Sequence, residues 1–123
     1  MKSYTNLEQS KMLAEILSIE SADMFYYKDA VTKEDNPRVM NFLQVPKSKT
    51  MYYSPCWSLA ALLNILPDTI TSNDGIAFKL NIKKNIIEYS NPSLYLIYKS
   101  VKSDNFVDAC VEMIEKLHEQ NLI

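Results

Sequence analysis

The chain has 123 residues, of which 47% are hydrophobic and 23% are charged, and its net charge is −2. These proportions are typical of a globular protein with a real hydrophobic core, and they exclude intrinsic disorder. The single glycine excludes glycine-rich phosphate loops and the GxSxG turn of serine hydrolases. The slightly acidic balance disfavours nucleic-acid binding, which relies on clustered Lys and Arg.

The sequence also indicates a compartment. The first residues contain no apolar stretch of the length that a signal peptide needs, and no run of about 18 apolar residues occurs anywhere. We therefore expect a cytoplasmic protein without a membrane partner. Cys56 and Cys110 lie within apolar helical patterns, which predicts two reduced thiols in the core.

The first third of the chain predicts one helix and two strands. Thr5 and Glu8 have the spacing of a capping box, which predicts a helix that starts there and ends near Ser18. The aromatic run from Met24 to Tyr27 favours a strand, since such side chains fit a pleated surface. Residues 38–45 predict a second strand, after a charged loop.

Residues 54–67, SPCWSLAALLNILP, predict a central helix. Ser54 is a suitable N-cap, Pro55 suits the first helical position, and Pro67 prevents continuation. Only Ser58 and Asn64 are polar between these ends. A helix that is apolar on almost every side is normally buried, so we expect this one to lie between other elements.

The second half predicts a sheet followed by a helix. After a turn at Gly75, large apolar residues occupy every second position over residues 76–83, with Ala, Lys, Asn and Lys between them, which predicts a strand. Residues 86–89 predict the next strand. Residues 94–101 are apolar on both faces, which predicts an interior strand. Ser103 and Asp104 are candidate N-caps of a final amphipathic helix. The predicted fold is a single α+β domain over residues 1–123, with three helices packed on an antiparallel sheet of about four to five strands.

No pattern in the chain specifies a catalytic, cofactor-binding or metal-binding residue. His118 is the only histidine, so neither HExxH nor a histidine cluster exists, and a pair with Cys56 would require contact that the spacing does not impose. Glu112, Glu115 and Glu119 share a helix face, and the interleaved Lys116 indicates a solvated charged surface.

The aromatic content is the most unusual feature. Two tyrosine doublets lie near the single tryptophan, and the resulting candidate interaction surface comprises Tyr26, Tyr27, Tyr52, Tyr53 and Trp57. Rigid aromatic rings suit partner recognition because they give contact area at low entropic cost. The alternative is that these rings pack in the core around a small sheet.

Four blocks of the sequence carry a resemblance. They are SYTNLEQSKMLAEIL, ESADMFYY, PCWSLAALLNILP and DACVEMIEKLHEQNLI. Together they resemble a group of small uncharacterised proteins of gut Bacteroidetes and their phages or mobile elements. The resemblance implies one compact cytoplasmic domain, with a variable middle near residues 28–50, and it implies no substrate, cofactor or site residue.

Three functional hypotheses follow from the sequence. The first is a non-enzymatic accessory protein of the phage or mobile-element type that binds another protein or forms a homodimer. The second is a small enzyme or ligand-binding protein with a pocket lined by Tyr and Trp, which would use tyrosine hydroxyls, Cys56 or His118. The third is weak nucleic-acid binding through residues 46–50 with Lys79, Lys83 and Lys84.

Overall fold

The computed structural model describes residues 3–27, 37–39 and 53–123. Within these ranges the chain forms three α-helices and seven strands, and all the strand pairs are antiparallel. The chain divides into two compact units, residues 2–62 and residues 63–123. The predicted α+β class is therefore confirmed. The predicted loop at 46–50 and most of the predicted strand at 38–45 lie outside the described residues.

The strands form two separate sheets. The helices are α1 (Leu7–Ala14), α2 (Leu59–Ile65) and α3 (Phe106–Glu119). The strands are β1 (Met24–Tyr27), β2 (Pro37–Val39), β3 (Tyr53–Cys56), β4 (Thr69–Thr71), β5 (Ala77–Lys83), β6 (Ile86–Asn91) and β7 (Leu96–Lys102). Short 3₁₀ helices cover Ile19–Ser21 and Pro92–Leu94. The sheet orders are β2-β1-β3 and β4-β5-β6-β7, so the strands form two sheets, of three and four strands, where the sequence predicted one sheet of about four to five.

Thr5 has a different role in the first unit from the one that its sequence position suggests. Its side chain is buried, lies 2.7 Å from the Ser10 hydroxyl and accepts a hydrogen bond from the Trp57 backbone N–H at 3.2 Å. The capping box of α1 is formed one residue later, by Asn6 and Gln9. The prediction of Thr5 as N-cap is therefore wrong, because its hydroxyl bonds to the core instead.

The predicted helix at 54–67 is much shorter in the structure. Residues 54–56 belong to β3, where Pro55 lies opposite Phe25, and α2 starts only at Leu59. Ser58 is the actual cap, since its hydroxyl accepts from the Ala61 backbone N–H at 3.2 Å. Within α2 only Leu62 is buried, so the prediction of a long buried central helix is wrong.

Asp23 explains why the helix begins at this later serine. Its carboxylate accepts hydrogen bonds from the Ser58 backbone N–H, at 2.9 Å, and from the Ser58 hydroxyl. Bonds to a charged acceptor are stronger than neutral ones. The sequence pattern favoured Ser54 as the cap, because the acceptor of Ser58 lies 35 positions upstream and no local pattern displays it.

The second unit is a four-stranded meander with α3 packed against β6 and β7. The sheet buries Ile70, Phe78, Ile87, Tyr89 and Val101, and α3 buries Val107, Ala109, Cys110, Val111, Met113, Ile114 and Leu117. Asn105 caps α3 by accepting from the Asp108 N–H at 3.1 Å, which corrects the predicted caps at Ser103 and Asp104. None of the described helices combines the length and the hydrophobicity that a bilayer crossing requires.

Asp23 provides a stability test of the first unit. Substitution Asp23→Ala should lower the free energy of unfolding by about 2 kcal/mol, since the Ser58 backbone N–H loses a charged acceptor. Urea denaturation monitored by circular dichroism measures the change. Substitution of the exposed Asp74 by Ala serves as the control and should cost less than about 0.5 kcal/mol. Equal effects of the two substitutions would contradict the capping role.

Candidate functional site

Two members of the predicted aromatic surface are core residues. Tyr26 is 3% exposed, and its hydroxyl donates to the Thr5 carbonyl at 2.7 Å. Trp57 is fully buried, and its Nε1 donates to the Ser21 hydroxyl at 2.9 Å. The prediction of an exposed surface is therefore wrong for these two residues, and the core-packing alternative holds.

The other three tyrosines remain a prediction. Tyr27 and Tyr53 lie opposite each other where β1 pairs with β3, and their side chains are outside the part of the structure that is described. Tyr52 lies outside the described residues altogether.

The two thiols are unsuited to nucleophilic chemistry. Cys56 is fully buried, its Sγ donates to the Thr5 carbonyl at 3.4 Å, and burial raises the pKa of its thiol. Burial also raises the pKa of the Cys110 thiol, to about 12. Since the thiolate is the nucleophile, both groups are inert near neutral pH. His118 is exposed in the last turn of α3, where the sequence places it.

Other chemistry-bearing groups are dispersed or satisfied. Among the described residues, no three His, Cys, Asp or Glu side chains come together as a metal ion would require. Every buried side-chain nitrogen and oxygen in that part of the chain has a hydrogen-bond partner. The predicted helix-surface pair forms, with Lys116 Nζ 3.9 Å from Glu112 Oε1.

The thiols give a pH-dependent prediction. The folded pKa of Cys110, about 12, lies above its usual value of 9.0, so its stabilising contribution is complete below pH 9 and is lost as the pH rises towards 12. We expect the free energy of unfolding to fall by up to about 1.4 kcal/mol per pH unit in that window from this group. In Cys110→Ala the slope measured by urea denaturation should be smaller by that amount. An unchanged slope would contradict the assignment.

The most exposed apolar segment of the described chain comprises the end of the β6–β7 connection and the first two residues of β7. We call residues 94–97, with sequence LYLI, the β6–β7 tip. Tyr95 is 95% exposed and Ile97 is 62% exposed, and Leu94 and Leu96 are also exposed. Of the eight large hydrophobic side chains exposed in the described residues, four are therefore consecutive. Contiguous apolar exposure of this kind indicates a binding surface, whereas scattered single residues do not.

Asn91 holds the β6–β7 tip in place. Its Oδ1 accepts from the Leu94 backbone N–H at 3.2 Å and so caps the 3₁₀ helix, which starts with Pro92. Its Nδ2 donates to the Ala77 carbonyl at 3.0 Å, which ties the connection to β5. One amide side chain therefore fixes both the local turn and its position on the sheet.

The backbone at Tyr95 is left-handed, with φ 55° and ψ 37°. A bulky residue is rare in this region because its Cβ approaches the following carbonyl. The side chain is almost fully exposed, so its packing within the fold cannot compensate for the strain. Tyr95 is the C-cap of the 3₁₀ helix, with its backbone N–H bonded to the Pro92 carbonyl at 3.2 Å, so the left-handed backbone ends that helix while the ring stays in solvent.

A register shift decides which way the segment after the tip faces. The pairing of β6 with β7 shifts between Tyr89, opposite Lys99, and Ser90, opposite Ile97, so that Tyr98 is an extra residue. Ile97 therefore shares the face of Ser90, while the Tyr98 ring lies 5.1 Å from that of Phe78 on the other face. The Tyr98 hydroxyl and Gln120 Oε1 are 3.0 Å apart, which identifies this second face as the one that α3 covers.

A shallow groove of about 260 Å³ lies beside the tip, on the face away from α3. Its lining consists of Asn81, Lys83, Glu88, Ser90, Asn91, Pro92, Tyr95, Leu96 and Ile97. The Glu88 carboxylate is nearly buried and lies 3.1 Å from Lys83 Nζ. The groove thus combines an apolar rim with an ion pair at its floor.

β7 lies at the edge of the sheet. Within the described strands it pairs only with β6, so the prediction of an interior strand is wrong. The two-sided apolar pattern that suggested burial has a different cause. Near the C-terminal end of β7, Val101 lies opposite Ile87 and both are buried under α3. At the N-terminal end of β7, Leu96 and Ile97 are exposed.

Sequence reasoning missed the β6–β7 tip, although a signal was present. Asn91 and Pro92 mark a break, and LYLI follows immediately, without a charged residue. An apolar run of this length directly after a break is compatible with a buried strand or with an exposed connection. The exposure was decided by the register shift and by the edge position, neither of which the sequence displays.

Tyr95 allows its strain to be measured. Substitution Tyr95→Asn should raise the free energy of unfolding by about 0.5 kcal/mol, because Asn tolerates the left-handed region better. Tyr95→Ala removes the ring but keeps the Cβ, so its stability should stay within about 0.5 kcal/mol of the wild type. Thermal and urea denaturation measure both. A loss above 1 kcal/mol in Tyr95→Ala would mean that the ring packs in the fold.

Comparison with known proteins adds no family. The chain matches no protein-family model, no curated protein and no solved structure.

Proposed function

We propose that the chain is a non-enzymatic interaction module that binds a protein partner through the β6–β7 tip and the adjoining edge of β7. The observation that carries this proposal is the ring of Tyr95, 95% exposed on a left-handed backbone. Tyrosine is among the residues that contribute most to protein interfaces. Its position between exposed leucines provides an apolar centre of the kind that interfaces need.

Two further observations support this proposal over an enzyme. The groove contains one buried ionisable group, Glu88, and this carboxylate already has Lys83 as its partner. An active site usually holds groups whose pKa values are displaced and whose hydrogen bonds await a substrate. The displaced pKa values of Cys56 and Cys110 belong to buried thiols that burial keeps neutral.

The location and the biological setting extend the proposal. We further propose a cytoplasmic accessory protein of the phage or mobile-element type, which acts through a protein partner or as a homodimer. A small α+β chain with one exposed apolar segment is compatible with this role. The proposed surface differs from the tyrosine doublets that the sequence indicated, because Tyr26 and Trp57 are buried.

Substitution of the tip tests the proposal. Tyr95→Ser combined with Ile97→Ser should lower partner binding at least about tenfold, because interface anchors commonly contribute this much. Wild-type and variant proteins are used as bait in the native host, and size-exclusion chromatography with light scattering detects self-association. Each captured protein is then purified and titrated against both baits.

The matched control is Val39→Ser, which removes a side chain that is 84% exposed on a different strand. It should leave binding unchanged. The proposal fails if the double variant binds as well as the wild type, or if the wild type is monomeric and captures nothing.

A further inference from the structure

Charge is segregated within the unit formed by residues 63–123. Its strands β5, β6 and β7 contain Lys79, Lys83, Lys99 and Lys102 but only one acidic residue, Glu88. Five of the eight acidic residues of this unit lie between positions 104 and 119, on α3 and its approach. The sheet therefore presents positive charge, although the whole chain has a net charge of −2.

Two of these lysines lie on the edge strand itself. Lys99 is opposite Tyr89 and so lies on the face that α3 covers, whereas Lys102 is opposite Ile86 and lies on the other face. Lysines on edge strands normally prevent unspecific pairing with other chains. An incoming strand with carboxylates opposite both lysines can still pair with the edge, because its negative charges are complementary to those of the lysines.

We propose that the edge of β7 binds an extended acidic segment of another protein, which joins the sheet as an antiparallel fifth strand. The proposal rests on the proposed function and specifies the chemistry of its partner. Backbone hydrogen bonds to the edge supply affinity, and side chains at alternate positions supply specificity. Antiparallel addition continues the pairing of the whole sheet and is the slightly more stable arrangement.

The positions on β7 define a pattern in the partner. An antiparallel strand in register places one residue opposite Lys102, the residue three positions later opposite Lys99, and the residue two further on opposite Ile97. The complementary segment therefore has the pattern E-x-x-E-x-φ, where φ is an apolar residue. The Tyr95 ring lies just beyond the apolar end of this segment and covers it.

A second copy of this chain is a poorer occupant of the same edge. Two β7 strands paired with each other would bring Lys99 and Lys102 from both chains to one shared edge, and like charges in such positions are destabilising. A single-stranded nucleic acid would satisfy the positive charge. The nucleic acid would leave the backbone groups of the β7 edge without hydrogen-bond partners. Proteins that bind single-stranded nucleic acid also normally use several aromatic rings on which the bases stack.

The experiment uses the peptide TEVTETIVT, which contains this pattern, with a fluorescent label. Fluorescence anisotropy at low salt should show that the full-length protein binds it at least about tenfold more tightly than the charge-reversed peptide TKVTKTIVT. Two further peptides each carry backbone N-methyl groups on alternate residues. In one peptide the methyl groups block one edge of the added strand, and in the other peptide they block the opposite edge. Only one of them should lose binding, because a single edge of the added strand faces β7.

Variants of the protein provide the reciprocal test. Lys99→Glu combined with Lys102→Glu should reverse the preference, so that TKVTKTIVT binds more tightly than TEVTETIVT. The matched control is Lys79→Glu combined with Lys84→Glu, which reverses two exposed lysines on β5 and in the turn after it, away from the edge strand. This control should keep the wild-type preference. Circular dichroism verifies folding, and the peptide series on the wild-type protein stands independently of the variants.

Several results would overturn the acidic-strand proposal. The first is equal binding of TEVTETIVT and TKVTKTIVT, and the second is loss of binding with both N-methylated peptides or with neither. The third is tighter binding of a labelled oligothymidylate than of TEVTETIVT. The fourth is a wild-type dimer that pairs through β7. If the Tyr95 and Ile97 variant loses its captured partner while the lysine variant keeps it, the proposed function stands and the acidic strand is wrong. If neither variant loses that partner, both proposals fail.

Discussion

The side chain of Asn91 is the constraint on which the candidate site depends. Its amide uses an oxygen to cap the 3₁₀ helix after β6 and a nitrogen to reach the Ala77 carbonyl on β5. Binding surfaces are commonly short connections held by a rigid scaffold. Because the connection is already ordered in the free protein, less conformational entropy is lost when the partner binds. The connection therefore leaves Tyr95 in a strained and exposed state that the rest of the sheet enforces.

The same connection sets the character of β7. The register shift beside Ser90 turns Ile97 away from α3, while Val101, further along the strand, is buried. β7 thus has one end in the core and one end in solvent, with Lys99 and Lys102 close to the buried end. An edge strand of this kind resists unspecific pairing through its lysines and still offers an apolar start for a complementary strand. Charge and shape are therefore both compatible with the proposed partner, an extended acidic segment.

The sequence predicted the parts of the fold that local patterns control. The alternation before Lys83 and the amphipathic spacing of α3 fix a strand and a helix whatever their neighbours are. Local patterns were insufficient where a residue far away in the sequence determines which side chain caps a helix. Ser54 has the residue type and position of an N-cap, but Asp23 binds Ser58 and the helix begins after that residue. Thr5 has the spacing of an N-cap, but its hydroxyl is buried against Ser10 and Trp57. The candidate site was missed for the same reason, since edge position and register are properties of the assembled sheet. The aromatic surface failed at Tyr26 and Trp57 because residue type alone does not separate core rings from interface rings.

The central claim is that β7 is an open edge, and backbone amide hydrogen exchange measures this directly. In an edge strand, the amides that point to β6 are bonded, whereas the alternate amides point to solvent. Exchange monitored residue by residue should therefore alternate between slow and fast from Lys99 to Lys102, beyond the extra residue Tyr98. Uniformly slow exchange along the strand would show that another element already covers this edge, and it would contradict the account.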